Sequence, residues 1–213
     1  MGREKAIVSV LGLGLIVMLV FGIDIWRNRG AQKAQFDFTG ATRPTEYRES
    51  PSKGAANPAV VMYEYADFNC SHCGDFQGVI ARVLAAHPNE VRLVWKDFPF
   101  ISQASKNAAV AGRCANAQGK FWEYSNWLFA SQKELDSLAF ADGAAAFGLD
   151  VGSFTACLSD AIMHTLVERD IAEGAALGIT ETPTLVIGDV ALVGTQAFEE
   201  VERVLAPLLT YGN

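Results

Sequence analysis

The 213-residue sequence predicts an α/β fold that is interrupted by an inserted helical domain and preceded by an N-terminal transmembrane helix. Three observations carry that reading. A strand, a helix and a second strand follow one another between residues 60 and 95, the pattern of a βαβ unit. An Ala-rich stretch with helical periodicity then separates this unit from a C-terminal hairpin and a last helix. An unbroken apolar run lies near the start of the chain. The length fits one domain, or one domain carrying an insertion.

Composition narrows the class. Apolar residues make up 50% of the chain and charged residues 19%, which excludes a disordered protein. Net charge is −7, yet residues 1–33 sum to +3, so the rest of the chain carries −10. A body that acidic excludes nucleic acid as a partner, because binding there rests on neutralising phosphates.

The elements follow in chain order. From Ala6 to Ile23, Ser9 is the only polar side chain. At 1.5 Å per residue that run spans about 27 Å, close to the hydrocarbon thickness of a bilayer. Trp26-Arg27-Asn28-Arg29 follows, without an Ala-x-Ala cleavage pattern, so residues 1–29 read as an uncleaved signal anchor rather than a cleaved signal. Arg3 and Lys5 precede the span and Arg27, Arg29 and Lys33 follow it, which leaves its orientation open. Residues 30–56 lack sustained periodicity and read as a linker.

Val60–Tyr65 is apolar on both faces, as a central strand is. A helix begins near Cys70, runs to about Ala86 and stops at His87-Pro88-Asn89; Val91–Trp95 is the second strand. These fill residues 57–102, the first part of the α/β domain. In the insert, residues 103–162, Ala104, Ala108, Ala111 and Ala115 recur at helical spacing, as do Phe121, Tyr124 and Leu128. Residues 163–213 return to the α/β domain. A helix there ends near Gly178, Thr184–Ile187 and Val190–Val193 form a hairpin about Gly188-Asp189, and a last helix starts at Ala197.

The chemistry is concentrated in Cys70-Ser71-His72-Cys73. Two cysteines two residues apart, where a strand hands over to a helix, place the first sulfur among the unpaired N–H groups of a helix N-terminus, which favour a thiolate. His72, as imidazolium or N–H donor, favours the same anion. Stabilising the thiolate stabilises the reduced form and so makes the disulfide a stronger oxidant. A zinc site would need a second close Cys/His pair, and Cys114 and Cys157 are widely separated. A purely structural Cys70–Cys73 bridge would close too short a loop to matter.

Four segments, Tyr65–Cys73, Lys96-Asp97-Phe98-Pro99, Gln118–Trp122 and Glu181-Thr182-Pro183-Thr184, resemble the DsbA-type thiol:disulfide oxidoreductases. That family has a thioredoxin-like fold with an inserted helical domain, and the resemblance covers about residues 57–211. Ser71 stands where the best-known members have proline. The resemblance implies that Cys70 is the nucleophile, Cys73 the resolving thiol, the Cys70–Cys73 pair the redox-active disulfide, and Thr182-Pro183 the cis-proline loop beside them. It implies a buried acid at Glu64, with Lys96 as its candidate partner; a partly exposed strand residue is the bland alternative. Asp67 reads as a turn residue, His87 and His164 as helix-end and surface residues, and Trp122 and Trp127 as core. Some relatives bridge the pair equivalent to Cys114 and Cys157, and that structural disulfide is expected here over two buried thiols. Two cysteine pairs fit an oxidising compartment.

The implied protein is an oxidase that introduces disulfides into exported proteins bearing free thiols. It would be a monomer, held in the cytoplasmic membrane of a bacterium by a single-pass anchor, with its body in the periplasm or outside the cell. A membrane thiol oxidase would regenerate the disulfide, and neither cofactor nor metal is expected. The alternatives are a reductase or isomerase using the same site, and a metal-binding or chaperone module with Cys70 and Cys73 as ligands.

Overall fold

A computed structural model describes residues 43–135 and 139–210. The Ala6–Ile23 run, and with it the expected anchor, lies outside the described residues. Among the described residues no helix is long and apolar enough to cross a membrane.

Among the described residues, five strands form one sheet in the order β1-β3-β2-β4-β5. They are β1 (Ser52–Gly54), β2 (Val60–Ala66), β3 (Val91–Asp97), β4 (Thr184–Ile187) and β5 (Val190–Val193). β2 runs parallel to β3, and the other pairings are antiparallel. The parallel pair needs a crossover, which α1 (Ser71–Ala86) supplies. Phe76, Ile80 and Val83 line one face of α1 and are fully buried. They meet Met62, Leu93 and Leu185 from the sheet and Val201, Val204 and Leu205 from α7 (Phe198–Thr210). The opposite sheet face buries Tyr65, Val186 and Ala191 with Phe98, Leu177 and Ile179.

The insert contributes α2 (Gln103–Ala117), α3 (Phe121–Ala130), a 3₁₀ turn (Gln132–Glu134), α4 (Phe140–Ala146) and α5 (Val151–Leu158). α6 (Ala161–Ala176) leads back to the sheet. Ser102 caps α2, its hydroxyl accepting from Ser105 N while the Ser105 hydroxyl accepts from Ser102 N. Phe121, Tyr124, Leu128 and Phe154 build the apolar interior of the insert. Cys114 on α2 and Cys157 on α5 are joined, with their Cα atoms 5.8 Å apart. Phe68 and Trp95 stack at 4.9 Å and carry this core onto the sheet.

The structure departs from the sequence reading in two places. β1 lies inside the stretch read as linker: Ser52, Lys53 and Gly54 pair with Val94, Leu93 and Arg92. Three residues of an edge strand are too few to show alternation, and Gly54 sits at φ +108°, where only glycine is unstrained. The preceding residues are tied to the body as well, since the Glu49 carbonyl accepts from Arg113 and Asn116 and the Ser52 carbonyl from Trp122.

The second departure concerns Lys96, which does not partner Glu64. Register is the cause: Glu64 stands opposite Trp95, and Lys96 opposite Tyr65. Successive side chains on a strand point to opposite faces, so Lys96 projects away from Glu64. It meets Glu173 at 2.7 Å and Asp170 at 3.5 Å instead.

Candidate active site

β2 delivers Asp67, Phe68 and Asn69 to the start of α1, where Cys70 occupies the N-cap position with extended backbone angles. The Asp67 carboxylate is buried and accepts from the backbone N–H groups of Asn69, Phe100 and Ile101. It is therefore more than a turn residue, because it joins the loop before α1 to the loop after β3. Asn69 continues the seam by donating to the Ser102 hydroxyl at 3.1 Å.

Cys70 and Cys73 are both free thiols, with exposures of 7% and 0%, so an approaching sulfur can reach only the first. Their acidities are driven apart. Cys70 is lowered to about 6. The Cys73 thiol contributes most by hydrogen bonding to it; burial opposes, and the Thr182 side chain and the Cys73 backbone N–H add further donors. Cys73 is pushed up, chiefly by burial and then by its role as donor to Cys70. A pair with a ready thiolate outside and a reluctant one inside is suited to thiol–disulfide exchange, in which the outer sulfur attacks or leaves and the inner one resolves.

The other expected residues take different places. Thr182-Pro183 is a cis peptide, and the Cys70 thiol donates to the Thr182 carbonyl at 3.4 Å. The Thr182 hydroxyl is buried and has no hydrogen-bond partner while Cys70 is a neutral thiol, which leaves it free to donate to the thiolate. Glu64 is fully buried and raised to about 7, first by burial; Lys53 and Gln77 oppose that shift, and the nearby Cys70 adds to it. Its Oε1 accepts from the Gln77 amide at 2.8 Å, and the same amide reaches the Cys73 carbonyl at 3.3 Å. Lys53 on β1, rather than Lys96, is the cation whose charge acts on Glu64, without an ion pair between them, and its ammonium lies over the Trp122 ring. His72 is exposed on the first turn of α1, and its carbonyl accepts from the Thr195 hydroxyl. It is not among the groups that set the acidity of Cys70, which come from Cys73, Thr182, Asp67 and burial.

His87 closes α1 between Glu90 and Glu202, and His164 is exposed with a ring nitrogen at the Leu158 carbonyl. Trp127 is half-buried against the insert's core. Among the described residues no group of three or more His, Cys, Asp or Glu side chains is arranged to hold a metal ion.

Sequence reasoning missed two sets of residues. Gln132 donates its amide to the carbonyls of Phe68 and Cys70, each at 2.8 Å. The other set is a buried ionic cluster in which Arg113 bridges Asp97 and Asp170, Lys96 joins Asp170 to Glu173, and Tyr65 donates to Glu173. Arg113, set among the alanines of α2, and the adjacent Lys96-Asp97 pair are the signals that this cluster leaves in the sequence.

The comparisons agree with this architecture. The chain is similar to a thioredoxin-like oxidoreductase from Silicibacter pomeroyi DSS-3, with 23% identity, TM-score 0.67, and coverage of 76% of this chain and 92% of that one. It is also similar to the catalytic domain of Proteus mirabilis ScsC, with 23% identity, TM-score 0.68, and coverage of 78% and 92%. A third similar structure is the thiol-disulfide exchange protein alpha-DsbA2 of Wolbachia pipientis, with 21% identity, TM-score 0.65, and coverage of 76% and 88%. These likenesses establish the fold. Among curated proteins, the chain is 30% identical over 154 residues to Na(+)/H(+) antiporter NhaA 1 of Mycolicibacterium vanbaalenii, covering 70% of this chain and 25% of that protein. The chain thus spans about a quarter of the length of the curated relatives it matches. A family profile described as thioredoxin matches residues 47–206. The chain belongs to the thioredoxin family.

Proposed function

We propose that the protein is a thiol:disulfide oxidoreductase that works as an oxidase, introducing disulfides into exported proteins. The observation that carries this reading is the opposite displacement of the two thiols, Cys70 to about 6 and Cys73 upward. In the first step a substrate thiolate attacks Cys70 Sγ of the oxidised site. The substrate–Cys70 bond forms, the Cys70–Cys73 bond breaks, and Cys73 leaves as a thiolate that takes up a proton. Glu64, raised to about 7 and linked to the Cys73 carbonyl through Gln77, is the acid placed to exchange that proton near neutral pH. In the second step another substrate thiol loses its proton and attacks the substrate sulfur of the mixed disulfide. The substrate's disulfide forms, and Cys70 departs as a thiolate. A leaving thiol of low pKa makes this release fast and leaves the reduced site stabilised, the property of an oxidant.

The reduced site must then pass its two electrons to an oxidant, and a thiol oxidase in the membrane is the proposed acceptor. The apolar Ala6–Ile23 run supports a single-pass anchor in a bacterial cytoplasmic membrane, with the body on its outer side. The Cys114–Cys157 bridge supports an oxidising compartment for that body.

The order of attack is tested by trapping. Cys73→Ser should accumulate mixed disulfides with thiol-bearing substrates, because only the resolving thiol is missing, whereas Cys70→Ser should form none. Equal loss of trapping in both variants would overturn the assignment. A measured reduction potential near that of thioredoxin, rather than well above it, would favour a reductase.

A further inference from the structure

We infer that Gln132, a residue of the inserted helical domain, is a positioning residue for the redox couple: it holds the carbonyls on either side of Asn69 so that the Cys70 sulfur sits among its donors. This rests on the dithiol reading above. The Gln132 amide faces two carbonyl oxygens, those of Phe68 and Cys70, at 2.8 Å each. Only the NH₂ end of the side chain can serve there, and it has one hydrogen for each oxygen. The Cys70 carbonyl also receives the N–H groups of Cys73 at 3.1 Å and Gly74 at 3.3 Å, so it is the point from which α1 starts.

The Gln132 amide also packs against the first turn of α1 at Gly74, with room left for a Cβ in ordinary van der Waals contact. A Cβ there would lie 3.5 Å from Phe129 and 3.7 Å from each end of the Gln132 amide. Gln132 is itself fixed, since it opens the 3₁₀ turn that follows α3 and Leu135 just beyond it is buried. The three-residue connection that carries the nucleophile is therefore gripped from two sides. The Asp67 carboxylate accepts the Asn69 N–H from within the sheet domain, and Gln132 donates to the Phe68 and Cys70 carbonyls from the insert.

The consequence is chemical as well as structural. Cys70 owes its low pKa to short-range donors, the Cys73 thiol and backbone N–H and the Thr182 side chain. Such donors act only at hydrogen-bond distance, and a shift of the N-cap by a fraction of an ångström weakens all of them together. Removing the Gln132 donors frees two carbonyls to reorient and carries Cys70 out of register with Cys73 and Thr182.

Gln132→Met keeps the length of the side chain and removes both donors; Gln132→Glu keeps its shape, removes them and adds a negative charge. The thiolate absorbance of the reduced full chain against pH, and its equilibrium with glutathione, are the readouts. For Gln132→Met, the Cys70 pKa is expected to rise by about one unit, with the oxidising equilibrium constant falling severalfold at pH 7. Gln132→Glu should shift both further in the same direction, and it carries the test alone should the Met variant fail to fold. A lowered denaturation midpoint with both redox quantities unchanged within about twofold would mark a merely structural contact and overturn the inference. A parent protein that does not equilibrate with glutathione at all would sink the oxidoreductase reading, while its thiolate titration would still read the effect of Gln132.

Discussion

Among the described residues, ionisable groups are buried in two regions, and the two settle their charges differently. Around Arg113, every acid lies within ion-pair distance of a cation: Asp97 and Asp170 with Arg113, Asp170 and Glu173 with Lys96. Around Cys70 no such ion pairing is made: among the described residues the buried Glu64 has no cation within ion-pair distance, and the two thiols are displaced in opposite directions. Burial with matched partners fixes a structure, because removing either member strands a charge. Burial without them leaves protons and electron pairs that can move. The first region holds the insert to the sheet through α2, α6 and β3; the second uses the surface so assembled.

The comparison can be broken most severely at Arg113. Arg113→Met strands Asp97 in the interior, leaves Asp170 with Lys96, and should cost about 3–5 kcal/mol of stability by denaturant titration. The Cys70 pKa of the folded fraction should stay put. A loss below about 1 kcal/mol would show that the cluster is not the structural member of the pair.

Glu64 sharpens the comparison through pH. Its folded pKa of about 7 lies above the ordinary carboxyl value of 4.5, so the folded state binds the proton more tightly. Stability should therefore fall as pH rises through that interval, by about 3 kcal/mol in all. Glu64→Gln should flatten this slope and, on the proposed mechanism, slow the release of mixed disulfides, because the proton exchanged by Cys73 loses its proposed carrier. An unchanged slope in stability between pH 5 and 7 would rule out Glu64 as the buried acid.

The smallest effect is expected at His72. Its side chain is exposed, and the donors to Cys70 lie elsewhere. His72→Ala should leave the Cys70 pKa nearly unchanged, a smaller shift than Gln132→Met produces. A rise larger than that from Gln132→Met would make the residue between the cysteines, rather than the grip on the N-cap, the main control of the couple.

What the sequence displays and what it hides follow from the range of each interaction. The Cys70–Cys73 spacing, the hairpin about Gly188-Asp189 and the βαβ order are local patterns, each read within a few dozen residues. The partner of Glu64 was misread because one position of register decides which face a side chain takes, and register is set across strands. Lys96 and Trp95 are neighbours in sequence, yet they serve the ionic cluster and the aromatic core separately. Gln132 gives no periodic signal because its acceptors, the Phe68 and Cys70 carbonyls, are about sixty residues away and any residue type would supply them. β1 is too short and too exposed to show alternation.

The segment from Glu49 to Gly54 touches both halves of the body before the main strand begins, through Arg113 and Trp122 on the insert side and through β3 on the sheet side. In mechanical terms it is a strap across the joint. Tension arriving along the chain ahead of it is divided between two sets of hydrogen bonds and spent on the rim of the sheet. β2, which carries the nucleophile's loop, lies inside β3, so a pull applied ahead of Glu49 would load those hydrogen bonds before the strand that leads to Cys70.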